Sequence, residues 1–422
     1  MDDSNVRRNM AAFLWHGAWL AVTVAFTDVN TVLPGLILQV GGTAVHVGVV
    51  TGIMVGVPLA SQLLFAGFLH GRRRKKPYLL LGIHMRVFAL AALAAAAAVG
   101  LRVTLGQLLA LIYAALLVFT LSGAFAGISY VDLVGKSFPG IHRRRFVLRR
   151  QWITSLGLLL SAVATRAILG NLGSERGYLV LFILSSGVLL IASAGFWVVR
   201  EEPTRTAPAG RIGTILRSIP SRLRGDRTLR RYIIVANLLG AGTVVTPFYV
   251  AMAQDLYGLD TGTIGNLVLV QIGGMIAGNL IWHRVVRRRG FKGMIRTWAV
   301  LGFLTPPIAL TAGHWLPLEG FLPVFVLTGL YLGSQKVTAD AVLLEISTEE
   351  NRALYAGIFG TFNLSLALLP ILLGGLVAWV GFTPIFLFVS LLAVVAAAAA
   401  RGMDCPVDRI HPSPLSDDIV KA

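Results

Sequence analysis

The sequence predicts an all-α membrane protein with twelve transmembrane helices in two pseudo-symmetric six-helix bundles. Three observations predict it. Long apolar runs recur along all 422 residues, of which 56% are hydrophobic and only 13% charged, at a mean hydropathy of +0.76. A soluble domain carries about twice that charged share. Basic residues cluster on alternate connections between the runs, and landmarks of the first half return at the same intervals in the second.

Each run is close to the ~20 residues that cross a hydrocarbon core. The first six spans are Ala11 to Leu38, His46 to Leu69, Tyr78 to Gly100, Leu105 to Val131, Trp152 to Leu169 and Tyr178 to Val199. The second six are Tyr232 to Met252, Thr261 to Trp282, Met294 to Gly313, Phe321 to Leu343, Leu354 to Val380 and Phe382 to Ala400. The chain therefore divides into an N-terminal bundle (1–199), a linker (200–231), a C-terminal bundle (232–400) and a polar tail (401–422). Pro203, Pro208 and Pro220 forbid one continuous helix across the linker. Within it Ile212, Ile215, Leu216, Ile219 and Leu223 recur at helical spacing, as in an amphipathic helix lying on a membrane surface. The alternative is a solvated linker with incidental periodicity.

The net charge of +18 is not read as a nucleic-acid footprint. Of the 37 Lys and Arg residues, 32 lie on alternate connections and the two termini, and only Arg102 and Arg176 on the opposite side. That is the positive-inside pattern. It predicts a multi-pass membrane protein with both termini cytoplasmic, bound to lipid and not to nucleic acid. The excess of Arg over Lys and the Ala-rich helices fit a high-GC bacterium, so the expected membrane is a bacterial inner membrane. The single cysteine, Cys405, excludes an internal disulfide.

The halves echo each other. Gly48 precedes Lys75 by 27 residues, as Gly265 precedes Lys292. The fourth span carries Gly123 and Gly127 and the tenth Gly329 and Gly333, with Asp132 and Asp340 near the ends of those spans. Together these indicate an internal duplication of six spans.

The connection after the second span, Gly67-Phe-Leu-His-Gly-Arg72-Arg-Arg-Lys-Lys76, and its echo from Arg284 through Gly290 to Lys292, resemble the loop motif of the major facilitator superfamily, Gly-x-Leu-x-Asp-Arg-x-Gly-Arg-Arg. Gly67, Leu69, Arg72, Lys75 and Lys76 fit or nearly fit. Gly71 stands in place of the Asp and Arg74 in place of the Gly. The resemblance implies a cytoplasmic latch: Arg72 with Asp132, and by symmetry Arg284 with Asp340 or Glu345. The alternative is that these charges anchor helix ends at the headgroups.

An ionisable group inside a span costs a few kcal/mol and needs a reason. Asp28 lies beside Asn30 and before Pro34, one residue off a stripe formed by His16, Thr23, Thr27 and Asn30. It is the leading candidate for a proton-titrating or cation-sensing carboxylate; the alternatives are a helix-packing hydrogen bond and exposure at the outer rim. Lys336 precedes Asp340 by one turn, so the two either neutralise each other or leave Lys336 to attract an anionic group. Arg86, about two turns into the third span, has no evident partner and is read as structural. Gln62, Asn237, Gln271 and Asn363 are polar cavity candidates in apolar surroundings.

No phosphate-binding loop, metal pattern or catalytic constellation is present, so no cofactor, metal or catalytic residue is expected. The expected function is secondary active transport by alternating access. It is coupled to a proton, by symport or drug-type antiport, and acts in a monomer on a small solute of anionic or amphipathic character. The competing readings are a membrane-embedded lipid-processing enzyme and a transporter-derived scaffold.

Overall fold

The structure, a computed structural model, describes residues 3–70, 72–138, 141–203, 223–346 and 352–403. The expected amphipathic linker helix and the polar tail lie almost wholly outside these residues. The described residues form helices joined by short turns, with no strand among them.

The first span is not the single helix that hydropathy predicts. α1 (Asp3–Phe26) stops, and α2 (Val32–Gln39) begins after the turn Thr27–Thr31. The cause is local. The Asp28 carboxylate accepts the Asn30 N–H and the Thr31 hydroxyl, offering the backbone an alternative to the helical ladder. Pro34 then sits in the first turn of α2, where its missing N–H is tolerated.

The second span is interrupted as well. α3 (Ala44–Thr51) and α4 (Val57–His70) flank a π-turn at Gly52–Gly56, immediately before Pro58. The wider turn absorbs the lost N–H and the ring clash that proline brings to a helix.

α5 (Lys76–Val99) and α6 (Leu105–Ser137) follow, α6 capped at its start by reciprocal bonds between Thr104 and Gln107. α7 (Ile141–Val198) breaks at Gly173, where φ is 67°. α8 (Arg227–Tyr257) precedes α9 (Thr261–Trp315), which breaks at Gly290 with φ 60°. That left-handed conformation is open to glycine and costly to other residues.

Among the described residues, nine helices are long and apolar enough to span a membrane. One of them is α9, whose 55 residues and break at Gly290 accommodate two crossings. The tenth and eleventh expected spans fall on α11 (Pro323–Ile346, after the single turn α10, Leu318–Phe321) and on α12 (Arg352–Asn363) with α13 (Ser365–Val380). α14 (Phe382–Arg401) ends the series.

Two compact units form. The first comprises residues 1–209, 247–272 and 370–379. Its near end bears Lys75 and Glu201; its far end bears the turn at Val40–Thr43. α1 packs along α7 through small residues: a Cβ at Gly157 would crowd Ala21, and one at Gly195 would strike the Ala12 carbonyl. Such close approach is how helices associate where no hydrophobic force separates protein from lipid. Phe13 anchors the near half, touching the rings of Tyr130, Phe138, Phe146 and Phe196.

The same unit includes segments from the second half of the sequence. A Cβ on Gly35 would lie 2.6 Å from Ile264, and one on Gly265 would lie 2.8 Å from the Arg166 Cα. A Cβ on Gly48 would strike the Pro370 carbonyl. The repeated glycines thus share one role. Each lets a second span of one half lie against a fifth span of the other, backbone on backbone.

The second unit comprises residues 210–246, 273–369 and 380–422. Its core gathers Tyr232, Val235, Leu239, Trp298 and Tyr331. The Tyr331 hydroxyl donates to the Leu239 carbonyl, and its ring fills the space beside Gly242.

Candidate functional site

Asp28 sits in the turn between α1 and α2, half-buried, one α2 length (about 12 Å at 1.5 Å per residue) from the far-end turn. Its Oδ1 accepts three hydrogen bonds: from the Asn30 N–H at 3.0 Å, the Thr31 hydroxyl at 2.7 Å and the Gln271 side-chain amide at 3.2 Å. The third bond joins the first span to α9. Among the described residues the Gln271 carbonyl oxygen is buried without a partner. Two of the sequence candidates therefore meet, 243 residues apart in the chain.

The expected polar stripe does not continue to Asn30, because the helix ends first. Thr23 and Thr27 turn their hydroxyls onto the Leu20 and Thr23 carbonyls, satisfying themselves within α1. His16 is buried between helices: a ring nitrogen lies 3.2 Å from the Ala192 carbonyl, and the ring packs at 4.2 Å on Phe196. It faces the bundle core of the first unit, so the stripe splits between packing and site.

At the near end, Asp132 does not pair with Arg72. It binds Lys136 one turn later, at 2.6 Å. Arg72 is exposed and lies over the rings of Phe68 (4.7 Å) and Tyr78 (5.8 Å). The organising group is Glu201, which the sequence reading passed over. Its carboxylate accepts the backbone N–H groups of Lys75 at 2.6 Å and Lys76 at 2.9 Å, and pairs with Lys136 at 3.1 Å. A carboxylate on the first amides of α5 is favourably placed against the helix dipole. The Lys75 ammonium bonds the Leu69 carbonyl. Burial pushes it below its usual pKa, against the pull of Asp132 and Glu201. Gly67, on α4, is exposed.

The remaining candidates stand apart. Arg284 is exposed and, among the described residues, bonds its own helix at the Leu280 carbonyl. Gly290 supplies the break in α9. Lys336 is exposed on α11. Asn237 donates to the Ile233 carbonyl one turn back. Asn363 closes α12 with a buried carbonyl oxygen lacking a partner. The side chains of Gln62, Asp340 and Glu345 lie outside the described residues. Among the described residues no group of His, Cys, Asp and Glu is arranged to hold a metal.

Comparison with known proteins places this geometry. Residues 241–414 match the family model described as Major Facilitator Superfamily. A POT family transporter, solved with a thioalcohol-conjugated peptide, superposes with a TM-score of 0.70 at 12% identity, over 93% of this chain and 95% of its own. The nucleoside transporter NupG superposes at 0.64 with 13% identity, over 95% and 99%. Uncharacterized proteins of Mycobacterium tuberculosis and Mycobacterium bovis are 23% identical over 293 residues, 65% of this chain and 55% of theirs. The chain spans just over half the length of these curated relatives.

Proposed function

We propose that this chain, a membrane protein of the major facilitator superfamily, is a secondary active transporter that moves a small solute by alternating access with proton coupling through Asp28. The observation that carries the reading is the Gln271–Asp28 bond. It ties the interrupted first span to the eighth, near the end where both halves of the sequence pack against one another. An ionised carboxylate strengthens that bond, since hydrogen bonds to charged groups contribute about 1.5–3 kcal/mol against ~1 for neutral ones. Protonation of Asp28 weakens the tie and favours opening of the far end; proton release restores it. A coupling ion must act on a group whose contacts differ between two states; on this reading the Gln271–Asp28 bond is the contact that changes.

The distribution of basic residues supports a cytoplasmic near end. Solute would then exchange with the outside through the far end. The peptide and nucleoside ligands of the structural neighbours support a small-molecule cargo without specifying one. Glu201 and its lysines would hold the near end of the first unit as one body while the spans rock.

The test is uptake into proteoliposomes across a solute panel, with and without an imposed pH gradient. Gradient-driven accumulation that disappears in Asp28→Asn while downhill exchange persists is the expected result. Accumulation that Asp28→Asn leaves intact refutes the coupling role. Movement of no solute under any gradient refutes the transporter reading.

A further inference from the structure

The interior of the first unit holds two arginines that the mechanism above does not use. Arg86 projects from α5, ten residues in from Lys76, against α6. Its guanidinium carbon lies 4.3 Å from the centre of the Phe119 ring, and a Cβ on Gly123 would sit 3.3 Å from its Nε. Arg150 projects from the start of α7 against α1 and α6, its guanidinium 5.3 Å from the Tyr130 ring and its stem beside Gly17. Phe119, Gly123 and Tyr130 follow steps of four and seven on α6, so the two arginines lie along one stripe of that helix, about two turns (~10 Å) apart.

Neither arginine forms an ion pair or hydrogen bond among the described residues. The acids of the near end are engaged elsewhere, Asp132 and Glu201 on Lys136. In each guanidinium Nε is buried without a partner. Neither side chain is fully covered by protein: both are half-buried. Aromatic faces hold the two cations without neutralising them, since a ring quadrupole attracts a cation but carries no charge. Glycine at 17 and 123 leaves the room that the two side chains occupy. The arrangement is a pair of rigidly seated forks presenting unspent N–H donors in a low-dielectric setting, and that chemistry matches the two-pronged geometry of an oxyanion.

We propose that Arg86 and Arg150 form a subsite for an oxyanion, a carboxylate or phosphate, in the near half of the N-terminal bundle. Its source is either the transported solute or an anionic lipid headgroup. The solute assignment rests on the transporter reading; the subsite itself does not.

The experiment titrates the purified full chain, in neutral detergent at fixed ionic strength, with inorganic phosphate, succinate or phosphatidylglycerol. The readouts are unfolding temperature and modification of arginines by phenylglyoxal, located by peptide mass. A saturable stabilisation by at least one probe is expected. It should weaken at least tenfold in Arg86→Gln and in Arg150→Gln and be unchanged in Arg102→Gln. In the wild-type chain the bound probe should protect Arg86 and Arg150, but not Arg102, from modification, a readout that stands even where a variant fails to fold. Saturation by phosphate or succinate assigns the site to a soluble solute; saturation by the phospholipid alone assigns it to a headgroup. No stabilisation by any probe, or equal modification with and without probe, overturns the proposal. Oxyanion binding without transport of any solute would leave the subsite standing and defeat the transporter reading. Transport confined to neutral or cationic solutes and unaltered in Arg86→Gln, with no oxyanion bound, would do the reverse.

Discussion

Substituting Gly48 by alanine adds one methyl group where the structure has no room for it. Its Cβ would overlap the Pro370 carbonyl and stand 3.2 Å from the Gly374 Cα. Both neighbours are backbone, so no side chain can swing aside. Overpacking of this kind costs about 1–3 kcal/mol, and on the alternating-access reading proposed above the cost falls only on the state in which the far end is packed. A differential of 1–3 kcal/mol shifts a two-state equilibrium by about 5- to 150-fold. The assay is maleimide labelling of Ile264→Cys, with the native Cys405 replaced by serine. Ile264 is fully buried against Gly35, so the thiol reacts only when the far end opens. Labelling in Gly48→Ala should accelerate within that range, while Gly187→Ala, at a glycine with nothing within 4 Å, should match the parent. Equal labelling rates in Gly48→Ala and Gly187→Ala, with both proteins folded, would refute the claim that these glycines set the packing of the far end.

Other expectations follow from particular contacts. Glu201→Ala removes the acceptor for two backbone N–H groups and one ammonium. It should destabilise the folded chain by about 1.5–3 kcal/mol, read by detergent-denaturant titration, while Glu202→Ala changes little. Asp260 caps α9 by accepting the Thr263 N–H at 2.6 Å, and the Thr263 hydroxyl, together with that N–H, holds its carboxyl below the usual range. A depressed folded-state value stabilises above the ordinary carboxylate pKa and is lost as pH falls through the lowered value. Asp260→Ala should therefore cost about 1 kcal/mol at pH 7, and the difference from wild type should vanish in acid. Gln271→Leu keeps the bulk but removes the donor to Asp28. Proton-driven accumulation should fall while solute binding at fixed pH is retained, and undiminished accumulation would count against the coupling tie.

The helices were legible because apolar length is a strong signal, and the expected spans fall on observed helices wherever they are described. Where the helices interrupt themselves was less legible. Asp28, Asn30 and Pro34 stood out as polar and helix-breaking residues, but a hydropathy window averages over a five-residue turn. The polar stripe failed for the same reason, since helical spacing has no meaning across a break. The pairing of Asp132 was available at short range: Lys136 lies one turn away, and neighbours at that spacing meet on a helix face. The motif-based expectation of Arg72 overrode it. Glu201 was missed because its signal is a single acid at the end of a span, and its partners are 65 to 126 residues distant. The Gly48 and Gly265 interval was visible as a repeat. Its meaning required knowing which backbone each glycine faces.

Those two glycines bear on how variation at one position constrains variation at the other. Each permits the same closure from opposite sides of an approximate two-fold relation. A wedge at either one already favours opening, after which the other position no longer meets its clash. The two substitutions should therefore show diminishing-returns epistasis, the double variant opening less than the product of the single effects. A lineage that has lost one glycine would be under weaker selection to keep its counterpart, so losses at 48 and 265 should tend to occur together.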